Sequence, residues 1–598
     1  MSEVAPYDLS DRFDFDYKHE TDQPGGSDDT LATIDDIEQG LVHQITGWPE
    51  TNREEAKAPT ELLYEDSEPL WGFEVPFDAD PVRWFKLLLL KDEDLEAEIR
   101  SSEQLLRARK MLKENNKSEI DLIADYLRKL WQHTLSKIRQ VRDENIVEAL
   151  RFHVVITVPA IWKGYARQGM ETAAKKAGML DSRLAGETTL SFVPEPEAAA
   201  LATLNDPGRR FQPNDVFVAC DAGGGTVDLI TYKIGSAKPL QLAEAVEGSG
   251  GLCGGTFVDE SFERLCKSRL GRKWDRLSKA SINEVMKGEW ERGIKPQFKP
   301  QGGSKKYTVS IPAEAFAGSS STDTSKEPII RDGRIHFREE DIQKAFTGVF
   351  ADIDKLVKGQ IQKSRRAGLK VSGIILVGGL GCSPYLYEHL RGQYDKDGIA
   401  LLQSGGIKPR TAICRGAVWK GFLDAVETPE TVARNLPVSI ASTIARASYG
   451  ASVHFPFDQD KHLAEDKVWD KEELTWKAKG QMMWFIKKGD NVSKTNQVRH
   501  SYYEIHKNDF GGVKSFDIHT CDDDEPPTRK TSSVRKHCTI GSTLDVPFQS
   551  LPDWTNAKGE RFKKYEYDVE MVPSGAILEF HVYIDGRKQA SKNTTFKF

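Results

Sequence analysis

The chain has little cysteine and no long hydrophobic run. Its seven cysteines are scattered over 598 residues, which does not suit the disulfide framework of a secreted protein. The longest apolar run, Trp84–Leu90, contains Lys86 and is far shorter than the roughly 20 residues that cross a bilayer. No basic segment leads into an apolar one near Met1, so we expect no signal peptide. These absences predict a cytoplasmic, or also nuclear, protein with reduced thiols and no membrane partner.

An excess of positive charge is also absent, because the formal net charge is −8. Residues 1–40 hold twelve acidic side chains against Arg12 and Lys18, which leaves the remaining chain nearly neutral and without a dense basic patch. This distribution argues against nucleic acid as a partner. It predicts that residues 1–40 are an acidic disordered N-terminal tail. Within the tail, Phe13, Phe15 and Tyr17 alternate with acids in a strand-like pattern that could pair weakly with a partner.

A glycine turn between two apolar runs is the most informative feature that is present. The run Val216–Cys220 leads into Asp221, three glycines at 223–225, Thr226 and Asp228, and a second apolar run follows. Glycines without side chains let backbone N–H groups converge on an anion, and Thr226 adds a hydroxyl donor. The two aspartates suit a hydrated Mg²⁺, which prefers carboxylates, phosphate oxygens and water. The simpler alternative is a hairpin with a flexible turn.

The chain changes character near residue 430. Before it, strands such as Gly373–Val377 alternate with helices such as Asp341–Gly359, which is typical of an α/β domain with ligands bound at strand ends. After it, short alternating strands such as Ile577–Ile584 predominate. We therefore predict a domain over residues 41–430 and a separate β-rich, sandwich-like domain over residues 431–598.

Four segments in this order resemble the heat shock protein 70 family, within the wider actin, hexokinase and chaperone-like ATPase superfamily. They are the second phosphate hairpin at Asp221–Asp228, the first connecting segment at Val155–Pro159 with Pro194–Ala200, the adenosine turn at Ile375–Pro384 and the second connecting segment at Pro409–Gly421. The resemblance implies a two-lobed actin-like ATPase domain, built from ribonuclease-H-like repeats, followed by a β-rich C-terminal domain.

The resemblance also implies roles for individual residues. Glu195 matches the acid that helps position the attacking water, and Asp221 and Asp228 match the residues that bind Mg²⁺ through water. The implied ATP or ADP contacts are Gly223, Gly224, Gly225 and Thr226 for phosphate, Gly254 and Gly255 for phosphate and ribose, Gly378, Gly379 and Ser383 for adenosine, and Glu291 and Lys295 near the adenine-contacting helix with the spacing off by one. Glu195 taken alone is better explained as an acid at a helix N-terminus, where the helix dipole favours it.

The chain departs from the family pattern at its first phosphate hairpin. No apolar strand leads into Asp-x-Gly-Thr-Thr, and no lysine lies within Leu70–Phe77, where chaperone members place a catalytic one. A hydrogen bond to a charged group contributes roughly 1.5–3 kcal/mol, so losing two or three would lower nucleotide affinity on the order of a thousandfold. Three explanations stay open: a weak nucleotide binder without turnover, an apo scaffold, or a coding sequence that lacks an exon.

These features together predict an ATP-binding chaperone-like protein in which ATP hydrolysis is weak or lost. No helical lid follows the β-rich region, which argues for a divergent, lidless branch of the family and against peptide trapping by a closing lid. The expected partners are nucleotide and a protein client or partner at the C-terminal domain. The alternative is a non-enzymatic interaction scaffold that uses that domain. A small-molecule kinase of the same superfamily is disfavoured because no sugar-binding segment can be recognised.

Overall fold

The structure is a computed structural model, and it describes residues 29–31, 42–65, 68–95, 97–160, 162, 164–206, 211–237, 240–302, 305–424, 438–493, 497–509, 513–543, 547–574 and 577–595. Nearly all of the predicted acidic tail lies outside these residues, and so does the predicted domain boundary at 430. Among the described residues, none of the helices is apolar enough over a sufficient length to cross a bilayer.

The first α/β segment, residues 29–206, contains three separate two-stranded sheets, β1 with β2, β3 with β4 and β5 with β6, surrounded by helices. Its strands are β1 Asp29–Leu31, β2 His43–Ile45, β3 Leu62–Glu65, β4 Glu68–Trp71, β5 His153–Val158 and β6 Thr189–Pro194. Its helices are α1 Ala97–Arg100, α2 Glu103–Glu114, α3 Glu119–Val141, α4 Glu144–Ala149, α5 Gly164–Lys176 and α6 Glu195–Leu204. A short 3-10 helix, Phe85–Leu89, precedes α1.

Helix α3 shows how the sequence forms this segment. Ser118 and Asp121 form a reciprocal capping box that satisfies N–H groups at the helix start. Leu122, Ile123 and Tyr126 recur at helical spacing, are buried, and join the core of the first segment. The apolar periodicity therefore places one face of the helix against the small sheets.

The second α/β segment, residues 211–424, is built on one continuous sheet in the order β14-β13-β7-β8-β9, to which β15 and β19 add. Its strands are β7 Val216–Ala222, β8 Val227–Ala237, β9 Leu240–Gly251, β10 Lys306–Ser310, β11 Ile329–Arg331, β12 Arg334–Arg338, β13 Gly373–Val377 and β14 Ala400–Leu402. Its helices are α7 Gly255–Leu270, α8 Lys279–Asn283, the π-helix Glu284–Ile294, α9 Glu339–Arg366, α10 Pro384–Tyr394 and α11 Lys408–Asp424. Strands β10, β12 and β11 form a small sheet of their own.

The C-terminal region, residues 438–595, is β-rich. Its strands are β15 Val438–Ile444, β16 Ser448–Pro456, β17 Lys467–Asp470, β18 Thr475–Ile486, β19 Asn491–Val492, β20 Val498–His506, β21 Val513–Cys521, β22 Arg535–Thr543, β23 Asp553–Thr555, β24 Arg561–Ser574, β25 Ile577–Ile584 and β26 Arg587–Thr595. One sheet has the order β17-β18-β16-β21-β22 and the other β20-β24-β25-β26, with β23 beside β24. Tyr449 and Ile518 of the first sheet share a buried core with Val569 and Phe580 of the second, so the two sheets pack face to face.

The first strand of the C-terminal region belongs to the sheet of the second α/β segment. β15 runs parallel to β9, with Val438 opposite Leu240, and it pairs on its other side with β19. The predicted strands at 373–377 and 577–584 are confirmed, and the predicted helix at 341–359 lies within α9. The predicted domain limits at 430 and 431 stay a prediction, and the ladder between β15 and β9 shows that the two regions share a sheet.

Candidate functional site

Two buried carboxylates face each other across the hairpin of β7 and β8. The ladder sets Asp221 directly opposite Asp228, so both side chains point to the same face of the sheet. They are 3% and 0% exposed, respectively. Asp221 Oδ1 has no hydrogen-bond partner among the described residues, whereas hydrogen bonds from the Thr226 side chain and the Ala160 backbone lower the pKa of Asp228. Buried acceptors without partners are rare in folded proteins, which indicates that a ligand completes this site.

Burial and charge repulsion shift both carboxyl groups. Desolvation, followed by the charge of Glu195, raises the pKa of Asp228 to about 7. The same two causes raise the pKa of Asp221 well above its ordinary value. The pair therefore holds protons near neutral pH until a cation replaces them.

The glycine turn beside this pair presents backbone donors. Gly223 N–H donates to Thr226 O at 2.9 Å, which closes the turn. Among the described residues, the N–H groups of Gly224, Gly225 and Thr226 donate to no backbone acceptor. Successive free N–H groups in a turn form a concave anion site.

The start of α7 packs against the back of this turn. Gly254 N–H, Gly255 N–H and Thr256 N–H donate to the carbonyls of Gly225, Gly223 and Gly224 at 3.2, 3.0 and 2.9 Å. A side chain at Gly254 would place a Cβ only 2.8 Å from Gly223 O, so only glycine fits. Gly254 and Gly255 thus hold the turn in shape, and their own N–H groups are already used.

The third glycine turn, after β13, closes over the carboxylate pair. Gly378 has φ +91° and donates its N–H to Pro409 O at 3.1 Å. A Cβ there would lie 2.5 Å from Ala222 O and would also overlap Asp221, so the chain passes directly above the β7–β8 hairpin. Gly379 precedes a short 3-10 helix. Ser383 is buried and caps α10 by accepting from Leu386 N–H at 3.4 Å.

Glu195 reaches the same place from the first α/β segment. It is the first residue of α6, between Pro194 and Pro196, and Pro194 is the N-cap. Its Oε1 lies 2.6 Å from Lys86 Nζ, which also lies 5.3 Å from the ring of Trp162. Because Glu195 raises the pKa of both buried aspartates, the three carboxylates and Lys86 form one electrostatic cluster.

Lys86 was not identified as a site residue by the sequence reasoning, which looked for a lysine within Leu70–Phe77. It lies in the 3-10 helix Phe85–Leu89, where its ion pair with Glu195 joins residues 109 positions apart. The available signal was a lone lysine in an otherwise apolar run. The charge of Lys57 also lowers the pKa of Asp221, which places a second cation of the first segment near the pair.

Glu291 and Lys295 are buried, and both interact electrostatically with Asp259 of α7. Lys295 Nζ lies 2.8 Å from Asp259 Oδ1 and donates to Gly255 O at 3.1 Å. Trp290 donates to the same Asp259 at 2.7 Å. Burial, followed by the charge of Asp259, raises the pKa of Glu291 to about 8. The structure thus places Lys295 next to Gly255, already in a buried ion pair, and Glu291 within the electrostatic influence of the same Asp259.

Ion pairs join the two α/β segments at one side of the site. Glu61 accepts from Arg83 at 2.8 Å and lies 3.3 Å from Lys287 of the π-helix. Asp80 lies 2.6 Å from Lys279 of α8. The residues of the site are therefore held between two segments that contact each other across it.

The site's carboxylates suit a cation that is held partly by water or phosphate. Among the described residues, no group of three or more His, Cys, Asp or Glu side chains could hold a metal ion directly. Asp221 and Asp228 nevertheless place two buried carboxylates, with Asp221 Oδ1 lacking a partner among the described residues, beside a turn of free N–H groups. This donor set fits Mg²⁺, which usually keeps several waters and binds through one or two carboxylates and phosphate oxygens.

Parts of the chain are similar to known proteins. A family model described as a domain of unknown function, DUF8568, matches residues 443–590. The chain is 26% identical over 335 residues to the chaperone protein DnaK of Thermoplasma volcanium, covering 54% of this chain and 48% of that protein. It is 27% identical over 198 residues to the human heat shock 70 kDa protein 12B, covering 24% of this chain and 28% of that protein.

A shorter match has a higher sequence identity. The chain is 37% identical over 112 residues to a chaperone protein HscA homolog of Neisseria meningitidis serogroup B, covering 19% of this chain and 16% of that protein. The chain therefore spans about half the length, or less, of the curated relatives it matches. Over these stretches it is similar, at modest identity, to members of the heat shock protein 70 family.

Proposed function

We propose that this protein binds ATP and ADP with Mg²⁺ between its two α/β segments, which we infer to be the lobes of an actin-like ATPase domain. The observation that carries the proposal is one juxtaposition. Three N–H groups of the glycine turn without acceptors lie beside a buried aspartate pair in which Asp221 Oδ1 lacks a partner, and the charge of Glu195 on α6 acts on both aspartates. A diphosphate or triphosphate with its cation satisfies both sets at once.

In this proposal, the residues of the site bind different parts of the nucleotide complex according to their charge. The N–H groups of Gly224, Gly225 and Thr226 bind phosphate oxygens, and Asp221 and Asp228 hold the cation through water. A bound cation would neutralise charge on the phosphates. Glu195, kept in place by Lys86, orients a water molecule at the phosphate end of the cleft. Gly378 and Gly379 leave room for the adenosine.

We infer that ATP hydrolysis is weak, because the glycine turn of the second segment would bind the phosphates from one side of the cleft without a matching hairpin on the other. The 598 residues contain no Asp-x-Gly-Thr-Thr hairpin, and the described strands of the first segment form only two-stranded sheets. Lys86 and Lys57 are the cations that the first segment brings to the cleft. These two lysines supply positive charge to the cleft. Their flexible side chains do not fix the direction of a hydrogen bond as backbone N–H groups do.

Isothermal titration calorimetry with ATP and ADP, with and without Mg²⁺, tests the proposal. We expect Mg²⁺-dependent binding to the full chain, and at least about tenfold weaker binding to Asp221→Asn. Asp395→Asn, an exposed position away from the cleft, is the matched control and should bind as the wild type does. Equal binding by wild type and Asp221→Asn, or no binding at all, would contradict the proposal. Single-turnover hydrolysis on the same samples separates a slow enzyme from a binder.

The alternative of a non-enzymatic scaffold also has a structural observation in its favour. The β-rich region shares the sheet of the second α/β segment through β15, so the α/β part could serve as its rigid support. Absence of nucleotide binding, together with partner retention that does not depend on nucleotide, would favour this alternative.

A further inference from the structure

A loop rich in hydroxyl groups connects the 3-10 helix Ala313–Phe316 to β11. Its residues 319–325 comprise four serines, two threonines and one aspartate, and all six hydroxyl-bearing side chains are exposed. We call this segment the serine loop. Serine and threonine hydroxyls accept phosphoryl groups, and an exposed loop gives a modifying enzyme access to them.

Two backbone contacts place the middle of the serine loop. Ser320 O accepts a hydrogen bond at 3.1 Å from Lys273 Nζ, in the 3-10 helix Gly271–Arg276 that follows α7. Ser321 O accepts at 2.9 Å from Gly333 N–H, in the turn between β11 and β12. Ser321 therefore lies between the lysine on one side and the hairpin of β11 and β12 on the other.

Two arginines flank the turn of this hairpin. Arg331 of β11 stands directly opposite Arg334 of β12, so both side chains leave from the same face of the strand pair. Both are exposed, and neither has a carboxylate within ion-pair distance among the described residues. Like charges directly opposite each other destabilise a strand pair. An anion bound between the two guanidinium groups would relieve that repulsion.

Positive charge exceeds negative charge around the serine loop. Arg269 is paired with Asp323, and Arg338 is paired with Glu327. Within residues 269–276 and 313–338, all of which the structure describes, the cations without an ion pair are Arg272, Lys273, Arg276, Lys326, Arg331 and Arg334. The acids without one are Asp275, Glu314 and Asp332. The excess of three positive charges suits a group that carries more than one negative charge.

Ser321 carries a hydroxyl that is both unused and next to these cations. The hydroxyls of the serine loop that take part in hydrogen bonds are those of Ser319, Ser320, Thr322 and Ser325. Those of Ser321 and Thr324 make none within the described part of the chain. Beside Thr324, however, Arg269 is already paired with the carboxylate of the loop. The chemistry therefore favours Ser321.

We propose that Ser321 is a phosphorylation site and that Lys273, Arg331 and Arg334 bind its phosphate group. A protein kinase transfers the γ-phosphoryl group of ATP to Ser321 Oγ. A new O–P bond forms, the bond from the γ-phosphorus to its bridging oxygen breaks, ADP leaves, and the hydroxyl proton passes to the catalytic base of the kinase. The phosphoserine carries about −1.5 to −2 charges and three acceptor oxygens, which suit two arginine forks. The modification thus ties the serine loop to the hairpin and to the 3-10 helix after α7.

Phosphorylation of the full chain in vitro tests whether Ser321 is the acceptor. The chain is incubated with ATP radiolabelled in its γ-phosphate and with each of a panel of serine/threonine kinases, and mass spectrometry locates the modified residues. We expect label at Ser321, and at least about fivefold less label in Ser321→Ala than in the wild type. Thr324→Ala is the matched control, because it removes the other unused hydroxyl of the loop, and it should be labelled as the wild type is. A sample without added kinase should stay unlabelled.

Removal of the phosphate tests whether the cations bind it. Phosphoserine is incorporated at position 321 during synthesis, and a broad-specificity phosphatase should act at least about threefold more slowly on this chain than on its variant with Arg331→Gln and Arg334→Gln. High salt should reduce the difference. Arg391→Gln, at an exposed position on α10, should be dephosphorylated as the wild-type background is.

Four results would overturn the proposal. They are no label at Ser321 with any kinase, equal labelling of Ser321→Ala and wild type, label without added kinase, and dephosphorylation of the double arginine variant that is no faster than that of the wild-type background.

Discussion

Lys86 forms an ion pair with Glu195 and offsets part of the negative charge of the cleft. Its Nζ lies 2.6 Å from Glu195, and its positive charge lowers the pKa of both Asp221 and Asp228. Lys86→Met should therefore leave these aspartates more protonated near pH 7 and weaken Mg²⁺-nucleotide binding by about tenfold. Calorimetry at several pH values measures this effect, and the deficit should shrink toward about pH 8.5 as the aspartates ionise.

Lys91→Met is the control for this experiment, because Lys91 Nζ lies over the ring of Tyr165, at 5.0 Å, rather than beside Glu195. It should bind nucleotide as the wild type does at every pH. A deficit in Lys86→Met that does not change with pH would contradict the electrostatic explanation.

The buried aspartate pair should make the nucleotide-free protein less stable as pH rises. Burial and the charge of Glu195 raise the pKa of Asp228 from its ordinary value of 3.8 to about 7. Between these values the folded state holds a proton that the unfolded state has lost, so the free energy of unfolding falls as pH increases through that window. Asp228→Asn removes this penalty.

We therefore expect the melting temperature of the wild type to fall more between about pH 5 and pH 8 than that of Asp228→Asn. Differential scanning fluorimetry without nucleotide measures the difference. Asp395→Asn, at an exposed position, should follow the wild type. Parallel pH profiles for wild type and Asp228→Asn would refute the raised pKa.

At the residue scale, the sequence located what lies close together in the chain. Asp221 and Asp228 are seven positions apart around one turn, so their pairing could be read from the strand–turn–strand pattern. Lys86 was missed because its partner Glu195 is 109 positions away in the chain, and only the tertiary fold brings the two side chains together. The burial that shifts the pKa of Glu291 is likewise a property of the folded state.

At the scale of single elements, the contact between α7 and the glycine turn tolerates no side chain. A Cβ at Gly254 would lie 2.8 Å from Gly223 O and overlap Gly224, so Gly254→Ala must push the turn out of place. We expect a loss of roughly 1–3 kcal/mol in the free energy of unfolding, together with weaker nucleotide binding. Urea denaturation and calorimetry measure the two effects.

Gly392→Ala is the matched control within an exposed helix. Gly392 lies in α10, and a Cβ there would meet nothing within 4 Å. Alanine is the better helix former, so this variant should gain roughly 0.5–1 kcal/mol of stability and bind nucleotide normally. If Gly254→Ala behaves like Gly392→Ala, the turn is not held as tightly as the contacts indicate.

Whether a segment forms a helix or a strand was easier to predict from the sequence than which strand it pairs with. The predicted strand at 373–377 was found at those residues, because an apolar run bounded by glycine indicates a buried strand whatever its neighbours are. No comparable sequence pattern indicates that strand β15 pairs with β9. Its ladder partners lie about 200 positions earlier, and a parallel pairing over that distance depends on the whole fold.

At the scale of the whole molecule, a buried ion pair fastens the β-rich region to the α/β part. Arg446 and Glu244 form a salt bridge with side chains only 10% and 3% exposed, and Ile444 N–H donates to Glu244 at 2.8 Å. Removing one partner would leave a buried charge without compensation. Arg446→Met should therefore cost about 3–5 kcal/mol at the junction.

We expect the wild type to unfold with the two regions coupled, and Arg446→Met to show a separate, earlier transition of the β-rich region by calorimetry. Lys564→Met, which breaks a surface pair with Glu566, should lose less than about 1 kcal/mol and keep the coupled transition. Identical unfolding of Arg446→Met and wild type would show that the ladder of β15 alone joins the regions.

The position of β15 in the shared sheet has a consequence for synthesis on the ribosome. In the fold, one edge of β9 pairs with β15, and the two strands are about 200 residues apart in the chain. At about 5–20 residues per second, translation needs roughly 10–40 s to supply the missing strand. Until β15 is made, the edge of β9 that it covers in the fold is unpaired, so a chain that stalls in this stretch presents a template for aggregation.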